Sequence, residues 1–470
     1  MGQAPTTGSG LPGTPAGRLA AEWLQLCQAP DVARMTAWVK TRVSDAAATR
    51  MSPDDRAAGH FALCTANGGF HVAAVTRATP TVIQAQVVGA RSGTWFAMVV
   101  EVDSAGKLER AGALPTTPSE SAMPRDLRDS AVAIDVRRLV AQASAADLFS
   151  GIVIVARDTQ IIARATAGYA NIPRHTPITG STQFTLGSMG KMFTAASIGQ
   201  LVDRGMMSFN DRVGKFFPEY PNATVRDQVT VGMLLSHTAG LGDFLSRRTP
   251  EMMQTGVARA VEFMPLYDQD APLFPPGSKW QYSNAGLALA GAIVEKVSGE
   301  DYPTYIRAHI FAPAGMTHSD PNNRPLVSPL LVTPYTKLTD QGPSPDWVEA
   351  PADIGSPAGG SISTADDLVR FAAALRGGRL VRPATFAEIA KPRQSTPTGD
   401  QYGYAMEILD VYGRTVVGHG GAFAGVSTHL YLVLGSPYIV VVLANQDPPA
   451  DGYVGRMTLA LVAEKAKTGQ

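Results

Sequence analysis

The sequence predicts an α+β / α/β protein: an α/β sandwich whose antiparallel sheet carries an inserted helical region, plus a small N-terminal α+β domain. Three observations predict this fold class. Helix-like spacing precedes three β-rich runs in the first hundred residues. A segment rich in Pro, Ser and Thr follows at residues 114–124. Beyond it, strand-like runs occur near both ends of the remaining chain, so one sheet can take strands from both ends.

The first domain is predicted from the order of its elements. Apolar positions at helical spacing predict three helices, over residues 17–27, 31–39 and 53–64. Runs rich in β-branched and aromatic residues predict three strands, over residues 70–76, 81–88 and 94–102. This order resembles that of the cone-shaped NTF2-like modules. We therefore expect four parts in the chain: a disordered leader at 1–16, the accessory domain at 17–114, a linker at 115–127 and the main domain at 128–470.

The main domain is predicted to begin with a helix and end with one. The predicted helices cover residues 132–143, 285–297 and 453–465. The predicted strands cover residues 151–156, 161–168, 415–418, 428–434 and 438–444. The middle of the domain, roughly residues 211–357, is predicted to be rich in loops with helical stretches. We identify it as the inserted helical region.

Composition limits the classes of partner. Lys and Arg number 40 against 40 Asp and Glu, without a basic cluster, so nucleic acid and anionic membranes are poor candidates. Apolar runs have strand length, so we expect no membrane span. The two cysteines, Cys27 and Cys64, fit either a disulfide or two buried thiols. Neither lies in a metal-type cluster, and we expect neither a metal nor a cofactor. The N-terminus lacks the build of a secretory signal, so we expect a periplasmic or secreted protein if a signal was removed, and otherwise a cytoplasmic one.

A serine and a lysine three residues apart form the first candidate site. Ser188-Met189-Gly190-Lys191 opens an amphipathic stretch, and residues at this spacing face the same side of a helix. The lysine can accept the serine proton if burial or a neighbouring cation lowers its pKa. A second such pair, Ser104 and Lys107, lies in a turn-like stretch and is predicted to be a solvated hairpin.

Two later motifs supply groups that such a serine needs. Tyr282-Ser283-Asn284 follows a turn, and a tyrosine beside a lysine ammonium can approach the phenolate and act as a base. By itself this motif also fits a turn with a capping asparagine. His419-Gly420-Gly421-Ala422 lies between strand-like runs, where glycines allow close approach and a backbone N–H can complete an oxyanion hole. It fits equally a glycine-rich hairpin. We interpret His237 as a buried hydrogen-bonding residue.

These motifs, in this order, resemble the serine β-lactamase/penicillin-binding-protein superfamily, most closely its class C-like branch of esterases and D-amino peptidases. The resemblance covers roughly residues 130–465 and includes residues 234–241 and 359–368. It implies a β-lactamase-like fold with Ser188 as the acylated nucleophile and Lys191 as its proton acceptor or electrostatic partner. It also implies Tyr282 as general base and then acid, and Asn284 as a substrate-positioning residue. The N–H groups of Ser188 and Ala422 would form the oxyanion hole, beside Gly420 and Gly421.

One departure from the family pattern shifts the expected substrate. His419 stands where β-lactamases carry the lysine of their K-T-G motif, and a histidine is mostly neutral at pH 7. The resemblance then implies a serine hydrolase of small ester, amide or peptide substrates, with at most weak β-lactam turnover. The N-terminal unit either forms a homodimer or steers large substrates. D-amino peptidase or DD-peptidase activity is the alternative, and a non-catalytic binding protein on the same fold is the alternative of another class. An α/β-hydrolase is excluded because the chain contains no G-x-S-x-G elbow.

Aromatic side chains in the central loops have two interpretations. They either shape an apolar acyl pocket or simply cover the core. These residues are Phe244, Phe274, Tyr335 and Trp347.

Overall fold

The computed structural model describes residues 10–322, 328–339, 342–351, 353–397 and 399–469. The N-terminal part consists of four helices followed by a four-stranded antiparallel sheet of order β1-β2-β3-β4. The helices are α1 (Pro15–Gln28), α2 (Val32–Arg42), α3 (Asp45–Arg50) and α4 (Pro53–Asn67). The strands are β1 (Phe70–Ala78), β2 (Val82–Gly89), β3 (Trp95–Val102) and β4 (Leu108–Pro115).

A core of its own lies between these helices and one face of the sheet. Trp23 of α1 stacks on Phe70, and Phe70 meets Phe96 edge to face. The sequence predicts a disordered leader over residues 1–16, but its last part is folded. Leu11 is fully buried in this core. Pro15 at the first turn and a Thr14 side chain that accepts from the Gly17 N–H then start α1. Residues 1–9 of that leader lie outside the described residues.

Two details of this part answer questions raised by the sequence: the state of the two cysteines and the structure around Ser104 and Lys107. The Cys27 and Cys64 sulfurs are joined in a disulfide that ties α1 to α4, with Cα atoms 4.7 Å apart. Ser104 and Lys107 lie in the turn between β3 and β4, where the Asp103 carboxylate accepts from the Lys107 N–H. The second serine–lysine pair is therefore part of a hairpin turn, as predicted.

The larger part is built on one eight-stranded antiparallel sheet that takes strands from both ends of the chain. Its first strands along the chain are β5 (Gly151–Arg157) and β6 (Gln160–Ala167). The next six strands along the chain are β7 (Tyr169–Asn171), β8 (Thr176–Pro177), β9 (Phe184–Thr185), β10 (Tyr335–Thr339), β11 (Gly342–Glu349) and β12 (Ile362–Ser363). These six form three separate two-stranded pairs, β7 with β8, β9 with β12 and β10 with β11. The late strands are β13 (Gln394–Ser395), β14 (Gln401–Tyr402), β15 (Glu407–Val411), β16 (Arg414–Phe423), β17 (Val426–Val433) and β18 (Tyr438–Ala444). The order β13-β14-β15-β16-β17-β18-β5-β6 joins the two ends, because β18 pairs with β5 from Tyr438↔Arg157 to Ala444↔Gly151.

Helices cover both faces of this sheet. Along β5 the side chains alternate: Ile152 and Ile154 belong to the core of the helical region, whereas Val153 and Val155 belong to a second core. The second core is covered by α5 (Asp129–Ala145) and the C-terminal helix, α16 in chain order (Ala450–Thr468). The helical region contains α6 (Lys191–Asp203), α7 (Val213–Phe216), α8 (Ala223–Gln228), α9 (Val231–Leu235), α10 (Pro250–Thr255), α11 (Asn284–Ser298), α12 (Tyr302–Tyr305), α13 (Ala312–Ala314), α14 (Ala365–Arg376) and α15 (Pro383–Ile389). The predicted sandwich with an inserted helical region is confirmed.

The sheet is wider than the sequence predicts. Strands β13 to β15 were not predicted, because two of them are two-residue pairings without a hydrophobic pattern of their own. Strand β16 runs straight through Gly418-His419-Gly420-Gly421, which the sequence places between strands. Glycine has a low propensity for strands, but without a side chain it lets β16 lie close to the neighbouring backbone around Leu186. Within the described residues, no helix combines the length and the apolar character needed to cross a bilayer.

Candidate active site

Ser188 and Lys191 lie at the junction of two helical turns. Ser188 is on a 3₁₀ turn, Gly187–Gly190, and Lys191 is the first residue of α6. Side chains three residues apart eclipse one another on a 3₁₀ turn, so the pair meets more directly than on the single α-helix that the sequence suggests. Lys191 Nζ is 3.0 Å from Ser188 Oγ. The spacing prediction for this pair therefore holds in its geometry.

The Lys191 amine is fully buried and has three polar neighbours. Besides Ser188 Oγ, Nζ contacts Asn284 Oδ1 at 2.7 Å and the carbonyl oxygen of Ala358. Burial lowers the pKa of Lys191 to about 7, against the opposing charges of Asp243 and Glu407. A neutral amine has two N–H groups, and the two oxygens of Asn284 and Ala358 accept them. Its lone pair is then left pointing at the serine hydroxyl.

The orientation of Asn284 depends on Asp243. The Asn284 amide donates from Nδ2 to Asp243 Oδ2 over 2.7 Å. An ionised carboxylate only accepts, so this contact fixes the amide with its NH₂ toward Asp243 and its oxygen toward Lys191. Asp243 Oδ1 in turn accepts from the Leu245 N–H at 2.8 Å. Sequence reasoning missed Asp243, although it follows the singled-out segment 234–241 by two residues.

Tyr282, which lies just before α11, contacts Ser188 and Lys191. Ser283 caps α11, since its side chain accepts from the Gly286 N–H, and this holds Tyr282 one residue before the cap. The Lys191 Nζ lies 4.7 Å from the centre of the Tyr282 ring, and Tyr282 hydrogen-bonds Ser188. Burial nevertheless raises the pKa of Tyr282 well above its ordinary value. The structure thus gives a neutral phenol, which corrects the expectation of a phenolate-like base.

Glycines bring the edge of β16 against the serine turn. A Cβ on Gly421 would lie 1.9 Å from the Leu186 carbonyl oxygen, so only glycine fits. A Cβ on Gly187 would lie 3.2 Å from the Ala422 amide nitrogen, which places that amide beside the Ser188 turn. Thr428 Oγ1 donates to the Leu186 carbonyl oxygen over 2.8 Å and fastens the sheet to the turn.

His419 lies behind the site. Its ring is 1% exposed, and Nε2 is 2.8 Å from the Tyr402 hydroxyl. One proton arrangement satisfies the whole chain: the Ser283 N–H donates to His237 Nδ1, His237 Nε2–H to Tyr402, Tyr402 O–H to His419 Nε2, and His419 Nδ1–H to the Gly420 carbonyl. Both histidines are neutral in this arrangement.

The pKa values agree with that arrangement. Burial lowers the pKa of His419 to about 4 and that of His237 well below its usual range. The expectation of a neutral group in place of a lysine therefore fits, but the imidazole supports Tyr402 and does not line the cavity. His237 is the buried hydrogen-bonding residue that the sequence suggests. A lysine at position 419 would be a buried cation and would not present its charge to a substrate carboxylate.

A cavity of about 540 Å³ opens at the serine. Of the predicted site residues, Ser188, Tyr282, Asn284 and Ala422 line it, while Lys191, His419, Gly420 and Gly421 lie outside its lining. Asp243, Arg248 and Asp353 supply its charged lining. Arg248 Nη1 donates to Asp353 Oδ1 at 2.5 Å, so this cation already has a partner.

The four aromatic residues of the central loops do not line this cavity. None of Phe244, Phe274, Tyr335 and Trp347 is among the described residues that line it. Phe244 is fully buried and packs its ring 5.2 Å from that of Phe263. The Trp347 indole N–H donates to Asp147 at 2.8 Å. Of the two interpretations, cover packing is the one that fits Phe244.

Comparisons with known proteins identify the family. The family model described as Beta-lactamase matches residues 136–464. The chain belongs to the Beta-lactamase family. Penicillin-binding protein 4 of Amycolatopsis lactamdurans is 31% identical over 292 residues, or 57% of this chain and 73% of that protein. Esterase EstB of Burkholderia gladioli is 28% identical over 364 residues, covering 67% of this chain and 90% of that protein.

A solved structure agrees with this assignment. The D-stereospecific amidohydrolase from Streptomyces sp. superimposes with a TM-score of 0.59 at 26% identity, covering 72% of this chain and 99% of that chain. The predicted superfamily, fold and enzyme class are confirmed: the chain is a serine hydrolase of the Beta-lactamase family. No group of three metal-binding side chains stands together among the residues that the structure describes.

Proposed function

We propose that the chain hydrolyses esters or small amides through an acyl-enzyme on Ser188. One observation carries the proposal: the buried Lys191 amine lies 3.0 Å from Ser188 Oγ, with its two other hydrogen-bonding positions already occupied. This geometry suits a base that accepts the hydroxyl proton.

In acylation, the neutral Lys191 amine takes the proton of Ser188 as Oγ attacks the substrate carbonyl carbon. The N–H groups of Ser188 and Ala422 donate to the carbonyl oxygen as it becomes an oxyanion. The tetrahedral intermediate then breaks its bond to the leaving group. Tyr282, a neutral phenol that hydrogen-bonds Ser188, gives the leaving oxygen or nitrogen a proton and regains one from the Lys191 ammonium.

In deacylation, water takes the position that the leaving group has vacated. The neutral Lys191 amine takes its proton as the water oxygen attacks the acyl carbon, and the Tyr282 phenol relays that proton by donating one as it accepts one. The bond to Ser188 Oγ breaks, and the oxygen regains its proton from the Lys191 ammonium. Asn284 holds Lys191 in place throughout, because its amide oxygen accepts from Nζ.

The preferred substrate is an ester or small amide without a carboxylate. Arg248 is already paired with Asp353, and the Lys191 amine is neutral in half of the molecules at pH 7. A β-lactam carboxylate would therefore meet no free cation among the described lining residues, and we expect at most weak β-lactam turnover.

The test is a burst assay with p-nitrophenyl acetate, combined with mass spectrometry of the trapped protein. Wild type should release nitrophenol in a burst and gain one acetyl group on Ser188. Ser188→Ala should show neither, while Ser104→Ala, the matched serine of the other serine–lysine pair, should behave as wild type. Undiminished turnover in Ser188→Ala would refute the proposal, and absence of any burst or fluorophosphonate labelling in wild type would favour the non-catalytic alternative.

A second candidate is a D-amino peptidase or amidase that acts on substrates with a free amino group. The carboxylate of Asp243 in the cavity lining favours it, since the hydrogen bonds that it accepts from Asn284 and Leu245 come from uncharged amide groups and a substrate ammonium would be attracted to it. Rates on D- and L-alanine p-nitroanilide, compared with their N-acetyl forms, distinguish the two. Preference for the free D-amine over its N-acetyl form, lost in Asp243→Asn, would support this candidate over a simple esterase.

We further propose that the protein works in the periplasm or outside the cell. The Cys27–Cys64 disulfide supports this, because disulfides persist in oxidising compartments. Protein isolated from its native compartment without reductant should gain no maleimide label. Two labels per chain would point to the cytoplasm instead.

We also propose that the predicted accessory domain, its start moved from residue 17 to residue 10 because Leu11 is buried in its core, is joined by a linker at 115–127 to the hydrolase domain at 128–470, and that the full chain forms a homodimer. The separate core around Trp23 supports the domain division. Sedimentation of the full chain should give twice the mass of 49.5 kDa. A monomer mass at all concentrations would contradict the dimer.

A further inference from the structure

A second chamber continues from the cavity at Ser188. It has a volume of about 500 Å³, close to that of the first. Five described residues line both chambers: Met253, Pro351, Asp353, Ile354 and Phe423. One wall of the second chamber is the paired strands β9 and β12, where Thr185 lies opposite Ile362. Together the two chambers exceed what a short ester such as an acetate fills.

Apolar side chains form much of the lining of the second chamber, together with the uncharged polar residues Thr185, Asn322, Ser328 and Thr333. Leu331, Val332, Pro334 and Ile362 are among its apolar lining residues. Its charged described residues are Glu349 and Asp353, and no described Lys, Arg or His lines it. The chamber therefore suits an uncharged apolar group and disfavours a carboxylate.

The position of Tyr282 decides which half of the substrate enters this chamber. Tyr282 and Asn284 line the first chamber only. A leaving group must lie close to the phenol that protonates it, so it occupies the first chamber. The acyl group is bonded to the carbonyl carbon on the opposite side and extends past Phe423 into the second.

We propose that the second chamber is an acyl-binding site that makes the enzyme selective for esters or amides of uncharged, medium-length or aromatic acyl groups. This rests on the proposed function of Ser188. It adds the substrate class that the reactive residues alone do not define.

The experiment measures kcat/KM for p-nitrophenyl esters of two, four, six and eight acyl carbons. Burial of the added CH₂ groups should raise kcat/KM at least about tenfold from butanoate to octanoate in wild type. Leu331→Trp, which puts a larger side chain into the chamber, should lower that ratio severalfold. Leu330→Trp is the matched control, because Leu330 is 39% exposed and lines neither chamber.

A second measurement needs no variant. The mono-p-nitrophenyl ester of adipic acid should react at least about tenfold more slowly than the hexanoate ester, because its terminal carboxylate would enter a chamber lined by apolar side chains and the acids Glu349 and Asp353. A flat chain-length profile, an unchanged ratio in a folded Leu331→Trp variant, or equal rates for these two esters would each overturn the proposal. Acetate hydrolysis distinguishes the two failures. If only the acyl-site proposal is wrong, Ser188 still hydrolyses the acetate ester; if the proposed function is wrong, it does not.

Discussion

The buried amine of Lys191 should control how the activity depends on pH. Its pKa of about 7, against an ordinary value of 10.5, means that about half of the molecules carry the neutral amine at pH 7. Without the shift only roughly 1 in 3000 would do so. At about 1.4 kcal/mol per pKa unit, burial disfavours the ammonium by roughly 5 kcal/mol. We therefore expect kcat/KM to rise tenfold per pH unit on the acid side and to level off near pH 7.

The perturbation that tests the origin of this pKa is Asp243→Asn. The Asp243 carboxylate stabilises the Lys191 ammonium, so its removal should lower the pKa of Lys191 and move the midpoint toward acid by up to about one pH unit. The assay is stopped-flow release of p-nitrophenol from an acetate ester between pH 5 and 9, read at a pH-independent wavelength.

Neighbouring groups define the control for this assay. The pKa values of His237 and His419 are lowered by burial, so neither titrates near neutrality. His429 differs, since its contacts with Glu407 and Asp451 outweigh burial and raise its pKa. His429→Gln should keep the midpoint near 7. A profile without a midpoint between pH 6 and 8, or one that moves with His429 and not with Asp243, would refute Lys191 as the base.

Three other variants have definite outcomes. Lys191→Met should raise the free energy of unfolding most below pH 7, and this gain should shrink toward pH 10. The reason is that the lowered pKa of Lys191 destabilises the folded state at every pH at which the unfolded chain keeps the lysine protonated. Thermal melts across this pH range measure the difference, and a pH-independent difference would contradict the prediction. Gly421→Ala should lower Tm and kcat together, since its Cβ would meet the Leu186 oxygen, whereas Gly112→Ala, in open space, should be neutral in both assays. Tyr402→Phe should cost about 1–3 kcal/mol of unfolding free energy in urea, because two buried histidines lose their shared partner; no change in stability would mean that water replaces the hydroxyl.

Local spacing explains what the sequence could predict. Ser188 and Lys191 are three residues apart, so helical geometry alone brings them together. Most of the sheet is likewise predictable, since strands such as Tyr438–Ala444 are continuous apolar runs. Asn284 and Ala422 could be placed beside Ser188 only through the family resemblance, because Asn284 contacts Lys191 and the Ala422 amide lies beside Gly187, which are far apart from them in the chain.

Long-range contacts and burial explain what the sequence could not predict. Asp243 is one loop carboxylate among many until Asn284 is seen to donate to it. Tyr402 lies on a two-residue strand with no pattern of its own, yet it joins both buried histidines. The protonation state of Tyr282 depends on how much solvent reaches its hydroxyl, which spacing does not reveal.

The contact between Thr428 and the Leu186 carbonyl has a consequence for synthesis of the chain, since its partners are 242 residues apart. At about 5–20 residues per second, a ribosome needs roughly 12–50 s to make the intervening segment. During that time the nucleophile's turn exists without the strand that closes against it, and β5 waits as an unpaired edge for β18. Nascent chains should therefore be inert and in need of shielding until the last strands leave the exit tunnel.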